Sequence, residues 1–334
     1  MSGVGRVSNG GLFEEMTLLD KLPGILMPVS DVPDALRELW KSDADSGTGS
    51  TKFRAVQTNL ILHFGLETSE TEAQGILGRA LEFAQRYPCR LICLCPSRKD
   101  DAHLMRGKLF SQCYLSGGAR HPVCCEALML GYSPEESKFL EHQVSIWLES
   151  DLPTYHWFHR VPAHRIRESY MPFLKMVRRV TFDSSLEGHA YEEISWPCPR
   201  GARDLAEARL LHVRQSLGQF LSSYSVEMLT QGLHSITINH ASGLAGEAGS
   251  LARWAKKCLV LAGTAETLAT EIFEQADGFC MEWAFEGSSN LLMELNNELC
   301  AGRIRADFGP GPVDYPLHMK KVSSQLTLAE ALFF

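Results

Sequence analysis

The chain has 334 residues, of which 45% are hydrophobic and 22% are charged, and its formal net charge at pH 7 is −8. This length and composition are typical of a globular protein, and we expect two hydrophobic cores. The negative charge disfavours sequence-independent binding to nucleic acid or to an anionic membrane. No apolar run approaches the ~18–20 residues of a membrane-spanning helix, and the first residues lack the apolar core of a signal peptide. We therefore expect a cytoplasmic protein with neither a nucleic-acid nor a membrane partner.

Residues 1–25 are predicted to form a disordered or extended N-terminus, and an α/β domain is predicted over residues 26–200. Leu26–Trp40 predicts an extended segment followed by a short helix, and a polar loop rich in Ser, Gly and Asp comes next. The rest of this domain is organised around the stretch Phe53–Pro96.

Within that stretch, two apolar runs are typical of strands that are buried on both faces, Val56–Phe64 and Arg90–Pro96. Between them, Thr71–Tyr87 carries a helical apolar stripe, with Ser69 or Thr71 as its N-cap. A crossover of this length predicts a right-handed, parallel βαβ unit. The turn after the first run has no glycine cradle for a phosphate and carries acidic residues, which argues against a nucleotide site there.

Two further β-like runs, Lys108–Leu115 and Val123–Tyr132, are too close in sequence for a crossover helix, so we predict an antiparallel pair. A helix from Pro134 through Leu148, an aromatic strand at Thr154–Val161, a helix near Ile166–Met176 and a short strand at Arg178–Ser185 complete this half. The prediction is a three-layer domain with a mixed, mainly parallel sheet.

Residues 201–334 are predicted to form a smaller α+β domain. Asp204 is predicted to cap a long helix that ends near Tyr224. Gly232–His240 alternates like a strand, and Ala245–Leu261 has a helical pattern. Strand-like runs then recur and predict an antiparallel meander. A short docking helix is expected at Leu326–Phe334.

Three glycines lie between a predicted strand and a predicted helix, at Gly243, Gly246 and Gly249. Backbone N–H groups at a helix N-terminus can bind an anion, so this turn is a candidate anion site. The spacing matches neither the dinucleotide fingerprint nor a Walker A loop, and a tight strand-to-helix turn is the favoured explanation of the glycines.

The ten cysteines lie in a long chain without a signal sequence, which favours free, mostly buried thiols. A thiol switch at Cys89, Cys113 or Cys198 requires exposure and a neighbouring cation, which Arg90 could provide for Cys89. His156 and His159 fall on opposite faces of a strand and cannot converge on a metal there. No catalytic set, cofactor site or metal site is predicted.

The aromatic residues near Trp157 allow two interpretations. Trp157 packs in the core, or it belongs to an aromatic surface that anchors a partner protein.

Several segments, in the same order, resemble the glucose-6-phosphate dehydrogenase assembly protein family, called OpcA. The segments that carry the resemblance are MPVSDVPDALRELW at residues 27–40, FRAVQTNLILHFG at 53–65, EFAQRYPCRLICLCP at 82–96, DLPTYHWFHRVP at 151–162, RRVTFDSS at 178–185 and DLAEARLLHVRQSLGQFL at 204–221. One tryptophan stands at Trp157 where the family has a pair, and Ala206-Glu207-Ala208 stands where it often has a tryptophan. The C-terminal meander matches only loosely.

The resemblance implies a non-catalytic partner that binds glucose-6-phosphate dehydrogenase, favours its active oligomer, and tunes it allosterically or in response to redox state. It points to Arg54, Asn59, Cys89, Arg90 and Trp157 as family-signature or partner-binding residues. The alternative is an α/β enzyme or sensor that binds a sugar phosphate or a nucleotide at the glycine turn or at the strand ends. The sequence leaves the oligomeric state of the chain itself open.

Overall fold

A computed structural model describes residues 16–45, 56–98, 105–114, 123–198 and 200–334. Arg54 lies outside these residues. The strands are β1 (Ile25–Pro28), β2 (Thr58–Phe64), β3 (Cys89–Pro96), β4 (Arg106–Tyr114), β5 (Val123–Tyr132), β6 (Thr154–His159), β7 (Arg179–Phe182), β8 (Ala202–Asp204), β9 (Leu233–Ala241), β10 (Ala269–Gln275), β11 (Phe279–Phe285), β12 (Asn290–Leu295), β13 (Ala301–Asp307) and β14 (Val313–His318).

The α-helices are α1 (Leu18–Lys21), α2 (Val32–Asp45), α3 (Glu70–Arg86), α4 (Leu140–Ser145), α5 (Ala163–Arg165), α6 (Ser184–Glu187), α7 (Leu205–Arg209), α8 (Leu211–Leu221), α9 (Val226–Thr230), α10 (Ala245–Leu261) and α11 (Ser324–Phe333). Short 3-10 segments occupy Val29–Asp31, Pro134–Phe139, Phe173–Met176 and Gly188–Tyr191, and one π-helical turn covers Ile166–Tyr170.

The first sheet has eight described strands in the order β1-β4-β5-β3-β2-β6-β7-β8. Strand β2 pairs in parallel with β3 and with β6, whereas β4 is antiparallel to β5 and to β1. The predicted βαβ unit and the predicted antiparallel pair are therefore confirmed. Ser69 caps α3 by accepting a hydrogen bond from the backbone N–H of Glu72 at 3.3 Å.

Apolar side chains cover both faces of this sheet, because its strands alternate between two cores. One core lies under α3, α7 and α11 and includes Leu60, Cys93 and Trp157. The other lies under α2 and α4 and includes Ile61, Leu94 and Phe158. The three-layer arrangement is confirmed.

The second sheet has six described strands in the order β10-β9-β11-β12-β13-β14. Strands β11, β12 and β13 form the expected antiparallel meander, which is extended by the predicted strand β9 on one side and by β14, which was not predicted, on the other. The pattern did not reveal β10, which is parallel to β9 because α10 carries the chain back across the sheet. A third core, with Ile238, Leu251 and Trp283, lies between this sheet and α8 and α10.

Three helices differ from their predicted extents. The helix expected from Pro134 to Leu148 is a 3-10 segment followed by the six residues of α4. The helix expected near Ile166–Met176 breaks at Pro172, which has no N–H to donate and whose ring disfavours a continuous helix. The helix expected after Asp204 breaks at Leu210, where ψ is 5°. Because of that break, α7 packs on the first sheet and α8 on the second.

Elements from both ends of the chain pack on the first sheet. Helix α1 falls within the interval expected to be disordered or extended, and its Leu19 is fully buried against Gly131. Strand β8 extends the sheet, and α11 buries Leu328 and Leu332 in the core under α3. The domain boundary at residue 200 remains a prediction, although β8, α7 and α11 lie with the first sheet.

None of the helices in the described part of the chain is both long and apolar enough to cross a bilayer.

Candidate functional site

The candidate site lies at the carboxyl ends of β2, β6 and β7, the edge at which open α/β sheets bind ligands. The strand order reverses beside β2, since α3 leads from it to β3 on one side and β6 arrives later on the other. In a nucleotide-binding fold this is the crevice for the cofactor.

Here the crevice is closed by backbone contact. A Cβ atom on Gly65 would lie 1.7 Å from the carbonyl oxygen of Arg160, and the Gly65 N–H donates to the His159 carbonyl at 2.7 Å. Arg160 itself has φ of 56°, a left-handed conformation that is rare outside glycine. Gly65 therefore allows the loops after β2 and β6 to lie against each other.

Glu72, in the first turn of α3, faces the loop after β6. Its carboxylate Oε1 accepts a hydrogen bond from Arg160 Nε at 2.6 Å. The same oxygen lies 3.0 Å from His159 Nε2, but the contact lacks the angle of a hydrogen bond. Burial lowers the pKa of His159 despite the neighbouring carboxylate, so the imidazole is neutral at pH 7.

Arg209, at the end of α7, joins the two sheets. It binds Asp183 through two nitrogens at 2.8 and 2.9 Å, and its Nε contacts Glu247 of α10 at 2.5 Å. Asp183 directly follows β7 and caps α6, while the Glu247 side chain is only 4% exposed. The guanidinium therefore ties α6, α7 and α10 together.

The carboxyl group of Glu187 lies in the same region. Burial raises its pKa to about 7, and the carboxylates of Asp183 and Glu72 add to the shift against the opposing charge of Arg160. This group changes charge near neutral pH.

A cleft of about 420 Å³ opens beside this network. It is lined by Thr71, Glu72, Gly75, Ile76, Arg79, Trp157, His159, Asp183, Leu186, Leu205, Arg209, Val322, Ser324, Thr327 and Leu328. Four elements contribute most of these residues: α3, β6, α7 and α11. The volume lies in the range of small-molecule sites.

Residues 80–195 match a family model described as the glucose-6-phosphate dehydrogenase subunit N-terminal domain, of the OpcA assembly type. Over these residues the chain is similar to the OpcA family. The resemblance stated from the sequence is confirmed, and the family's name indicates involvement in glucose-6-phosphate dehydrogenase assembly. The OpcA segment runs from the second half of α3 to the residues after α6, so it contains β3 to β7.

No curated protein matches the chain. Among solved structures it is similar to KijD10, a 3-ketoreductase from Actinomadura kijaniata in complex with TDP-benzene and NADP, at 11% identity and a TM-score of 0.42, with 82% of this chain and 88% of that chain covered. It is also similar to an aldose-aldose oxidoreductase from Caulobacter crescentus, at 10% identity and a TM-score of 0.38, with coverage of 82% and 87%. These likenesses are too distant to carry an argument about function.

Two of the residues to which the sequence resemblance points lie at the opposite, amino-terminal edge of the sheet. The Asn59 side chain donates to the carbonyls of Glu149 and Leu152 and accepts from the Glu149 N–H at 3.0 Å. Arg90 forms an ion pair with Glu149 at 2.5 Å and donates to the Trp147 carbonyl. Both are buried, so they brace the segment that leads into β6.

Trp157 and Cys89 are also buried in the first core, at 4% and 6% exposure. The core interpretation of Trp157 is therefore the one that the structure bears out, although its ring lines the cleft. A role of these residues in partner binding remains a prediction.

The glycine turn is covered by the protein itself. Gly246 and Gly249 lie within α10, and a Cβ on Gly246 would come within 2.5 Å of the Ser185 nitrogen. Gly243 precedes the helix with φ of 86°. Gly246 thus allows α10 to approach α6 closely, and anion binding at this turn remains a prediction.

The cysteines fall into distinct classes. Cys89 and Cys198 are buried and burial raises the pKa of both thiols, so neither meets the condition of exposure that a thiol switch requires. Cys113 is exposed and disulfide-bonded. Among the described residues, no group of three or more His, Cys, Asp and Glu side chains is arranged to hold a metal ion.

A series of buried polar side chains lies on the other face of the sheet, away from the cleft. His63 contacts His156 at 3.2 Å and Tyr132 at 2.7 Å, and Tyr132 contacts Tyr170 at 2.8 Å. Burial lowers the pKa of His63 to about 3. His156 and His159 do lie on opposite faces of β6, as expected.

Sequence reasoning missed the network of Glu72, Asp183, Arg209 and Glu247. Part of the network could have been found from the positions of two residues relative to the strands, because His159 ends β6 and Asp183 directly follows β7. Polar residues at the carboxyl ends of neighbouring parallel strands meet at one edge of the sheet. Arg209 and Glu247 come from distant segments and carry no comparable signal.

Proposed function

We propose that this chain is a non-catalytic assembly factor that binds glucose-6-phosphate dehydrogenase, favours its active oligomer and acts as an allosteric activator in the oxidative pentose phosphate pathway. The observation that carries the proposal is the OpcA domain match over residues 80–195. In this proposal the chain acts in the cytoplasm and requires no cofactor and no nucleic acid.

The closed crevice beside β2 supports a role without nucleotide chemistry. Gly65 lies against Arg160 where a cofactor would bind, and the first turn of α3 carries Glu70 and Glu72 instead of a glycine cradle. The N-terminus of α3 therefore lacks the glycine-rich backbone loop with which nucleotide-binding folds hold a phosphate.

Activation requires differential affinity. A protein that binds two oligomeric forms equally shifts nothing, whereas ~100-fold tighter binding to the active form is worth about 2.7 kcal/mol of population shift. The proposal therefore predicts a complex with the active oligomer and a matching change in activity at the same concentration.

The test is a titration of the purified chain into glucose-6-phosphate dehydrogenase of the same organism, with activity and particle mass measured on the same samples. A heavier complex together with raised activity supports the proposal. Neither a complex nor a change in activity at micromolar concentrations would contradict it.

A variant pair can locate the contact. Phe139 and Ile146, at 55% and 56% exposure, are large apolar residues on the surface of the OpcA segment. Phe139→Asp with Ile146→Asp is expected to weaken the complex. Ile272→Asp with Phe273→Asp, on β10 outside that segment, is the matched control and is expected to leave it unchanged.

Redox tuning is the second part of the proposal. Cys113 lies in the OpcA segment and is exposed and disulfide-bonded. The dehydrogenase response is expected to differ between chain treated with a reductant and untreated chain. Cys113→Ser should abolish that difference, and an identical response of both preparations would remove redox tuning from the proposal.

A further inference from the structure

The cleft beside Trp157 has the properties of a ligand site that the assembly role does not use. One face of α3 lines it with Thr71, Glu72, Gly75, Ile76 and Arg79. Gly75 leaves this face open, since a Cβ placed on it would meet no atom within 4 Å. Helices rarely keep glycine in their interior, because it costs about 0.8–1 kcal/mol relative to alanine.

The cleft has a positive end. Helix α11 begins there, with Val322 and Ser324 in its lining, and no acidic side chain occupies its first turn. The side chain of its N-cap Ser323 accepts the Leu326 N–H and the Ser323 carbonyl accepts the Thr327 N–H, so the start of the helix keeps the partial positive charge of a helix N-terminus. Arg79 adds a full positive charge, and no described carboxylate lies within ion-pair distance of it.

The carboxylates of the cleft are already compensated. Glu72 is paired with Arg160, and Asp183 is held through both oxygens by Arg209. These acids therefore contribute little negative potential to the space, whereas Arg79 and the start of α11 remain available to an anionic group.

One buried ring nitrogen on the wall of the cleft lacks a hydrogen-bond partner. Trp157 is 4% exposed and its Nε1 has no acceptor, whereas His159, at 3% exposure, has its Nε2 3.0 Å from the Glu72 carboxylate. Both residues line the cleft. A buried donor without a partner costs about 1–3 kcal/mol, which hydroxyl or phosphate oxygens of a ligand could recover.

We propose that this cleft binds a small phosphorylated metabolite that carries hydroxyl groups, a sugar phosphate in chemical class. The phosphate lies near Arg79 and the N-terminus of α11, and the hydroxyl groups lie along the Trp157 and His159 wall. Such a ligand would bridge α3, α7 and α11. The inference does not depend on dehydrogenase binding and concerns the isolated chain.

The test uses the full chain and measures the melting temperature with three probes separately: glucose 6-phosphate, glucose and inorganic phosphate. At about ten times its Kd, glucose 6-phosphate is expected to raise the Tm by about 2–4 °C. Glucose or inorganic phosphate at the same concentration should raise it by less than half as much, since each meets only one end of the cleft.

Gly75→Trp supplies the decisive variant, because the new side chain fills the cleft without a clash at Cβ and replaces the glycine by a better helix former. It should keep the wild-type fold and lose the ligand-induced shift. Gly78→Trp is the matched control, as its Cβ also meets open space and it does not line the cleft. Gly78→Trp should keep the shift.

Arg79→Gln tests the anionic end and is expected to weaken glucose 6-phosphate binding by about 10-fold or more. Arg86→Gln, on the same helix and outside the cleft, should leave binding unchanged. The proposal is overturned if glucose 6-phosphate produces no shift in the wild-type chain, or if Gly75→Trp retains the full shift. A full shift with inorganic phosphate alone would overturn the sugar part.

Discussion

Replacing Arg209 with methionine removes a guanidinium that contacts both Asp183 and Glu247. The side chain is 31% exposed, and the carboxylates that it leaves are 17% and 4% exposed. Removal of one partner from a buried ion pair costs about 3–5 kcal/mol. Because Arg209 is partly exposed, we expect the lower limit, a loss of about 3 kcal/mol in the free energy of unfolding.

The loss should depend on pH in a defined direction. Burial alone would raise the pKa of Asp183, but the hydrogen bonds and charge of Arg209 outweigh it, and the pKa lies below its ordinary value. In the wild-type chain this pair adds stability above pH ~4 and loses it as the pH falls further. Without Arg209 the pKa of Asp183 rises, so the penalty is largest at pH 7 and shrinks as the pH falls towards 5.

The assay is urea unfolding at pH 7 and at pH 5, followed by tryptophan fluorescence. Arg305→Met is the matched control, because the Arg305–Glu294 pair has the same 2.5 Å separation but its members are 49% and 47% exposed. That control should cost about 0.5 kcal/mol at both pH values. Equal costs for the two variants, or a penalty at Arg209 that grows on acidification, would refute the reasoning.

Three further predictions concern single positions. Asn59→Ala should lower the free energy of unfolding by about 3 kcal/mol, since it leaves the partly buried Glu149 N–H and two carbonyls without their partner. Asn290→Ala, at an exposed turn, should cost less than about 0.5 kcal/mol in the same urea assay. Glu187→Gln should stabilise the chain above pH 7. The pKa of Glu187 is raised to about 7 in the folded chain, so the wild-type protein loses stability as the pH rises through that value and the carboxyl group ionises. The difference should vanish below pH 4.5, and thermal melts at pH 5 and pH 8 test its sign. Iodoacetamide applied to the native chain should label the exposed Cys258 and leave the buried Cys93 and Cys95 unmodified, as read by peptide mass spectrometry.

The first βαβ unit shows how much of the fold the local pattern predicts. Strand β3 is apolar on both faces, and α3 has its stripe and its Ser69 cap, so each element was predicted within two residues of its observed bounds. Helix α10 coincides with its predicted range Ala245–Leu261. Periodicity is a local property, and it suffices wherever one face of an element is buried.

Strand β10 shows where the local pattern fails. Most of its side chains are exposed, since it forms the edge of the second sheet, and exposure removes the apolar alternation that marks a strand. Its parallel pairing with β9 depends on hydrogen bonds to a strand about 30 residues earlier, which no short window contains.

The amino-acid sequence by itself determined the two-sheet α/β architecture and the resemblance to the OpcA family, because these depend on residue type and local spacing. Only the tertiary structure decided that Gly65 closes the crevice beside β2, that Arg209 joins Asp183 to Glu247, and that the last helix returns to line the cleft with α3. These features arise between segments as much as 250 residues apart, where contact is set by packing and charge compensation rather than by local pattern.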